Sequence, residues 1–219
     1  IDNRRHREEL EHLIEERTAE LFKSREESIH ILSKAAEFRD NETAKHTIRM
    51  GHYSELLARL CGLPDSLCRK LKIAAPLHDV GKIGISDTIL LKPGKLTEEE
   101  FDIMKTHCEI GYRILSESTS DILMVGAEIA LNHHEKFNGR GYPRGLAGQE
   151  IPISGRIGAI CDVFDALTTE RPYKDAISPE EAMTIMRDGR GNHFDPDLFD
   201  RFSENFHLFV EIRSRFSDK

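Results

Sequence analysis

No stretch of the sequence approaches the ~18–20 consecutive apolar residues needed to cross a bilayer, and nothing in it resembles a signal peptide. The chain therefore reads as cytoplasmic, without membrane contact. Positive charge is not in excess either. The formal net charge is -8, which argues against an electropositive surface for polymeric nucleic acid and leaves room only for a small anionic ligand in a locally basic pocket. Cysteine is scarce: Cys61, Cys68, Cys108 and Cys161 show no C-x-x-C spacing, and each lies in an apolar, helix-like stretch. They read as buried free thiols rather than disulfides or a thiolate metal site. Period-2 alternation is nearly absent, so little argues for strands. An initial methionine is lacking too; a chain that starts at Ile1 and passes straight into a charged helix reads as a piece of a longer protein, with a sensory or receiver domain upstream.

What is present points to an all-α chain with one well-buried domain and an appendage. From about Arg4 to Ala35 there is neither proline nor glycine, and a 4-3 alternation runs through Leu10, Ile14, Arg17, Leu21, Ser24, Ser28, Ile31 and Ala35. This seam, interrupted by Arg17, Ser24 and Ser28, predicts a weak parallel homodimer able to pass a shift in packing from an upstream domain. The alternative is a solvated single helix docked on the domain. Residues 1–35 are thus expected to form a signalling and dimerisation helix, and residues 36–219 a helical bundle. Helix starts are marked by Thr97 with Glu100, by Ser178-Pro179 with Glu181, and by Asp195-Pro196 before a last helix carrying Leu198, Phe199, Phe202 and Phe206.

Several polar residues stand where core residues belong. The stripe Leu67, Leu71, Ala74 continues at helical spacing into His78, followed by Asp79; Ile103, His107, Ile110, Ile114 and Ile122, Gly126, Ile129, His133 repeat the pattern. One such histidine is usually a satisfied core residue, but three aimed inward form a set. Asp162 lies in an apolar helical stretch, where a bare charge costs several kcal/mol unless paired, and a metal ion is its simplest partner. Glu42 and His46 share one helical face at i, i+4. Because His133 and His134 diverge by about 100° on a regular helix, both reach one site only if the helix ends there or several ions are spread across it. Asn138-Gly139-Arg140-Gly141-Tyr142-Pro143 supplies such an end. Eight imidazole and carboxylate candidates are too many for one ion. Without thiolate they point to octahedral iron or manganese, two or three ions with positions open for water and substrate oxygens.

His78-Asp79-Val80-Gly81-Lys82 resembles the signature of the HD superfamily of metal-dependent phosphohydrolases. His133-His134-Glu135 followed by Gly141-Tyr142-Pro143 narrows the resemblance to the HD-GYP family. The block from Asp162 through Asp165-Ala166-Leu167 to Arg171-Pro172-Tyr173-Lys174, and Arg39-Asp40-Asn41-Glu42-Thr43 before His46, extend it to roughly Glu37–Phe206. The resemblance implies hydrolysis of cyclic di-GMP to linear pGpG and, in some members, to GMP, by attack of a metal-bridging hydroxide on phosphorus. It also implies that His46, His78, Asp79, His107, His133, His134 and Asp162 hold a two-metal core, with Asp79 bridging, and that Glu42 allows a third ion. Lys82, Arg171 and Lys174 match positions that contact substrate phosphates. Tyr142 belongs either to the substrate pocket or to a docking loop for GGDEF domains, and Asp40 either accepts from a guanine edge or caps a helix. The competing expectations are another substrate, such as cyclic GMP-AMP or a mononucleotide, and a cyclic di-GMP receptor that does not cut.

Overall fold

The computed structural model describes residues 2–39, 44–170 and 176–217, and among these the regular structure is entirely helical. The first helix, α1 (Asp2–Glu37), is long and mostly exposed. The rest is built from α2 (Ala44–Leu60), α3 (Asp65–Ala74), α4 (Asp87–Leu90), α5 (Glu98–Lys105), α6 (His107–Ser116), α7 (Asp121–Asn132), α8 (Ile153–Thr168), α9 (Pro179–Arg187), α10 (Pro196–Glu204) and α11 (Phe206–Arg215). Tight 3-10 turns cover Ala75–Leu77, Val80–Gly84 and Gly148–Glu150. No helix among the described residues is long and apolar enough to cross a membrane.

Three of the expected starts are present. Thr97 and Ser178 each accept from the amide three residues on while Glu100 and Glu181 reach back, and Asp195 accepts from Asp197 N and Leu198 N. Two expected continuous helices are broken. The last one ends at Glu204, so Phe206 opens α11 instead of extending α10. The stripe through His107 is interrupted at Thr106, leaving Ile103 47% and Ile114 48% exposed. His107 is buried all the same, on the face it shares with Cys108, Gly111 and Leu115.

The main core gathers Met50, Tyr53 and Leu57 of α2, Leu71 of α3, Ile160 and Phe164 of α8, Met183 of α9 and Phe199 and Phe202 of α10. Phe164 meets Tyr53, Phe202, Phe206 and Phe209 edge to face at centroid distances of 5.4 to 6.5 Å, the favoured aromatic arrangement. A second, smaller core joins Ile29 of α1 to Leu77, Leu115 and Ala127. Contact between α1 and the domain thus begins at Ile29 and continues through Ser33, Ala36 and Glu37, all buried. The predicted seam lies on another face, where Leu10, Ile14, Leu21 and Ile31 are exposed. Cys68, Cys108 and Cys161 are buried, Cys61 is half-buried, and all four thiols are free.

Candidate metal centre

The chain turns twice within ten residues to place His78 and Asp79. After α3 it tightens into the turn Ala75–Leu77, passes Asp79 at φ -101°, ψ 8°, and tightens again over Val80–Gly84. The second turn lies directly on the start of α6. A Cβ built at Gly81 would stand 1.9 Å from His107 O and 2.4 Å from Gly111 N, so only glycine lets Asp79 and His107 approach.

Asp79 stands at the centre of an imidazole ring of neighbours. His107 Nε2 and His133 Nε2 lie 3.3 and 3.6 Å from its Oδ1, and His78 Nε2 lies 3.2 Å from its Oδ2. His134 joins them: one ligand atom each from Asp79, His107, His133 and His134 fall within 4.8 Å of one another. The two adjacent histidines converge because α7 ends at Asn132, with His133 as its C-cap, and their ring centroids are 4.0 Å apart. Asp162, on α8, places Oδ1 3.8 Å from His78 Nε2. Asp40, Glu42, Arg171 and Lys174 lie outside the described residues.

The donor set fits divalent cations. His78 Nδ1 donates to Ala75 O at 3.1 Å, His107 Nδ1 to Met104 O at 2.8 Å, and His133 Nδ1 to Ile129 O and Ala130 O at 3.1 Å. Each ring is thereby fixed with its proton on Nδ1 and its Nε2 lone pair turned towards Asp79. His78 Nε2, His133 Nε2 and Asp79 Oδ1 are buried without a hydrogen bond of normal geometry, an arrangement that costs free energy unless a cation completes it. Burial would push the Asp79 carboxyl up, but the Lys82 ammonium 2.8 Å away and the facing His78 hold it well below the usual carboxylate range. Burial and the neighbouring His133 push His134 well below the usual imidazole range, which keeps it a neutral donor.

Three groups beyond the expected set shape the site. Asp165 is fully buried, accepts from Arg49 Nε at 2.6 Å and Nη2 at 2.9 Å, and meets His46 Nδ1 at 2.6 Å. Burial opposes its ionisation, yet His46 and Arg49 hold its carboxyl at about 2. Glu37, at the end of α1, offers an oxygen within 4.8 Å of ligand atoms of His46 and His78, all three residues buried. Glu135, next to the histidine pair, is a loop organiser: its carboxylate accepts from Arg144 N at 2.8 Å and Leu146 N at 3.0 Å. That loop brings Tyr142 to 4.7 Å from the His134 ring and 6.0 Å from Phe101. Gly141 is packed so closely on Glu135 and Lys136 that a Cβ would meet Lys136 N at 2.2 Å.

A family model described as HD domain matches residues 16–198. A cyclic di-GMP phosphodiesterase of Thermotoga maritima is 49% identical over 211 residues, which cover 94% of this chain and 57% of that protein. The cyclic di-GMP phosphodiesterase response regulator RpfG of Xanthomonas campestris is 46% identical over 191 residues, 87% of this chain and 50% of that protein. This chain spans about half the length of the curated relatives it matches. Among solved structures, a cyclic GMP-AMP specific phosphodiesterase of Vibrio cholerae shares the fold, with a TM-score of 0.66 at 19% identity over 88% of this chain and 53% of that one. Phosphohydrolases with this domain bind divalent metal ions, and the His/Asp cluster around Asp79 is able to hold them. On these matches the chain belongs to the HD domain family, and within it to the HD-GYP branch.

Proposed function

We propose that the chain is a metal-dependent phosphodiesterase that hydrolyses cyclic di-GMP to linear pGpG, with GMP as a further product of the same site. The observation that carries this reading is the set of three imidazoles with Nδ1 tied to backbone carbonyls and Nε2 facing the two oxygens of Asp79. Names of relatives at 46–49% identity support the substrate. In this reading His46, His78, Asp79, His107, His133, His134 and Asp162 hold two ions, iron or manganese, and Glu42 a third. When bound, such ions supply charge neutralisation at phosphorus and acidify a water towards neutral pH.

The chain's own residues do the rest. Asp79 stays ionised under burial, the backbone carbonyls hold each imidazole in one tautomer, and Lys82, 15% exposed beside Asp79, turns its ammonium towards the place where charge grows on the phosphoryl oxygens. Arg171 and Lys174 add phosphate contacts in this reading, Asp40 a contact to a guanine edge, and Tyr142 a wall of the pocket beside His134. Hydrolysis adds water across one P–O3′ bond; phosphorus takes the oxygen, and the departing 3′ oxygen takes a proton. The N-terminal helix over 1–35 pairs with a second copy along its exposed seam, parallel and in register. The catalytic domain over 36–219 follows it, and the stretch from Ile29 serves both. A GGDEF domain and an upstream sensory or receiver domain are the further partners in this reading.

Anaerobic metal analysis paired with chromatography of the products tests it. Two or three ions per chain and pGpG from cyclic di-GMP are expected with Mn²⁺ or Fe²⁺ under reducing conditions. Faster turnover of cyclic GMP-AMP would reassign the substrate, and metal-loaded protein that binds cyclic di-GMP without cutting it would make the chain a receptor.

A further inference from the structure

We propose that Glu37 is a ligand of the metal centre, so that the long N-terminal helix ends on an ion it helps to hold. The inference rests on the metal-dependent reading above and adds to it a residue from outside the expected ligand set. Glu37 is 5% exposed, at the last position of α1, and its carboxylate shares with His46 and His78 a cluster of ligand atoms no more than 4.8 Å apart. Both imidazoles turn Nδ1 away from this cluster, His46 towards Asp165 and His78 towards Ala75 O. At bond lengths near 2.1 Å, two donors on one ion stand about 3.0 Å apart when cis and about 4.2 Å when trans. A carboxylate oxygen and two imidazole nitrogens gathered within 4.8 Å need draw in only by a few tenths of an ångström to share one ion with positions left open.

The geometry also fixes the carboxylate to the helix. Ile29 and Ala36 are buried on the near side of α1. Just beyond Glu37, the Arg39 guanidinium donates to Ile83 O at 2.6 Å and Ile85 O at 3.2 Å and pairs with Asp87 at 2.5 Å, which ties the helix end to the turn carrying Lys82. Moving α1 by one residue would turn Glu37 by about 100° and shift it by about 1.5 Å, enough to take it off the ion. The consequence is regulatory: occupancy of the His46–His78 position depends on where α1 sits.

The test compares wild type with Glu37→Gln, which keeps the shape and one acceptor oxygen but removes the anionic charge. In the full chain, elemental analysis at saturating Mn²⁺ is expected to show a loss of about one ion per chain. The rise in Tm caused by Mn²⁺ should shrink, while Tm in excess chelator stays at the wild-type value. Unchanged stoichiometry and an unchanged Mn²⁺-induced rise would overturn the proposal. So would a variant that is unfolded or equally destabilised with and without metal, since that marks a purely structural carboxylate. If wild type itself binds no metal, the metal-dependent reading fails, a result distinct from either.

Discussion

Asp165 is fully buried and holds His46 and Arg49 together inside the molecule. Arg49 is 1% exposed and also donates to Phe216 O at 2.9 Å and Thr169 Oγ1 at 3.0 Å. Removing the negative charge takes the Asp165 carboxylate away from a buried guanidinium, and breaking a buried pair in this way costs about 3–5 kcal/mol. It also frees the His46 ring, and losing such an orienting carboxylate lowers metal affinity on the order of 10–100-fold. Asp165→Asn is therefore expected to lower both urea stability and metal affinity; wild-type values for both would show that the Arg49–Asp165–His46 chain carries neither. Lys82→Ala should behave differently, keeping its metals while losing about 10–1000-fold in turnover, as expected for one lost charge-stabilising donor. An unchanged rate would remove Lys82 from the chemistry. At this scale the sequence is uneven in what it discloses. The argument that a carboxylate in an apolar helical run needs a partner singles out Asp162, and applied three residues on, to Val163-Phe164-Asp165-Ala166-Leu167, it would have found Asp165 as well. Glu37 is hidden for a physical reason: it sits in a Glu-rich helix whose apolar seam faces elsewhere, and only the second stripe of Ile29, Ser33 and Ala36 marks the buried face next to it.

Helix starts are legible because their signals are local, an acceptor side chain and a glutamate three residues on. The breaks at Thr106 and Asn205 are not, since neither carries proline or glycine. At Thr106 the Ile103 carbonyl is taken by Thr106 N and by Thr106 Oγ1 at 2.6 Å, and Met104 O by the His107 ring, so the acceptors a continuous helix needs are already engaged. The break serves the site by letting His107 open α6 under Gly81. Gly81→Ala would drive a methyl into the backbone of His107 and Gly111, where nothing flexible gives way. Overpacking of this kind costs about 1–3 kcal/mol or more, and here it also pushes Asp79 from the imidazoles. A fall in Tm together with a loss of bound metal is expected; a variant that keeps full metal content would mean the turn tolerates the shift. Below this region, His193 O and Asn192 O accept from Phe137 N and Asn138 N, tying the α9–α10 connection to the loop that carries Tyr142. Burial first, then the charge of Lys136, lowers the His193 imidazole to about 4 from its usual 6.5. The unfolded chain thus binds the proton at a higher pH than the folded one, so the contribution of His193 is full above pH 6.5 and is lost as pH falls towards 4. His193→Gln should flatten the acid slope of Tm between these values. A slope identical to wild type would place the acid sensitivity elsewhere.

At the scale of the whole molecule, α1 presents two faces with different surroundings. One, from Ile29 to Glu37, is covered by the domain; the other carries the predicted seam, with Ile14 63% and Leu21 65% exposed. With Leu10 and Arg17 as d positions and Ile14 and Leu21 as a positions, Glu20 falls at g and Arg25 at e, so a parallel partner in register sets Glu20 of one copy against Arg25 of the other. Arg17 is the weak point of the seam, because it brings two like charges together where apolar side chains would pack; within one helix it pairs with Glu20 at 2.8 Å. If two copies pair here, such a seam would hold them only loosely, as the proposed link between the position of α1 and the metal cluster requires. The two substitutions that test it act in opposite directions. Arg17→Leu should tighten the dimer and Leu21→Glu should dissolve it, both read by sedimentation velocity over a concentration series. If both variants sediment as wild type at every concentration, the exposed stripe is not a homodimer interface, and movement of α1 would have to be imposed by a different partner.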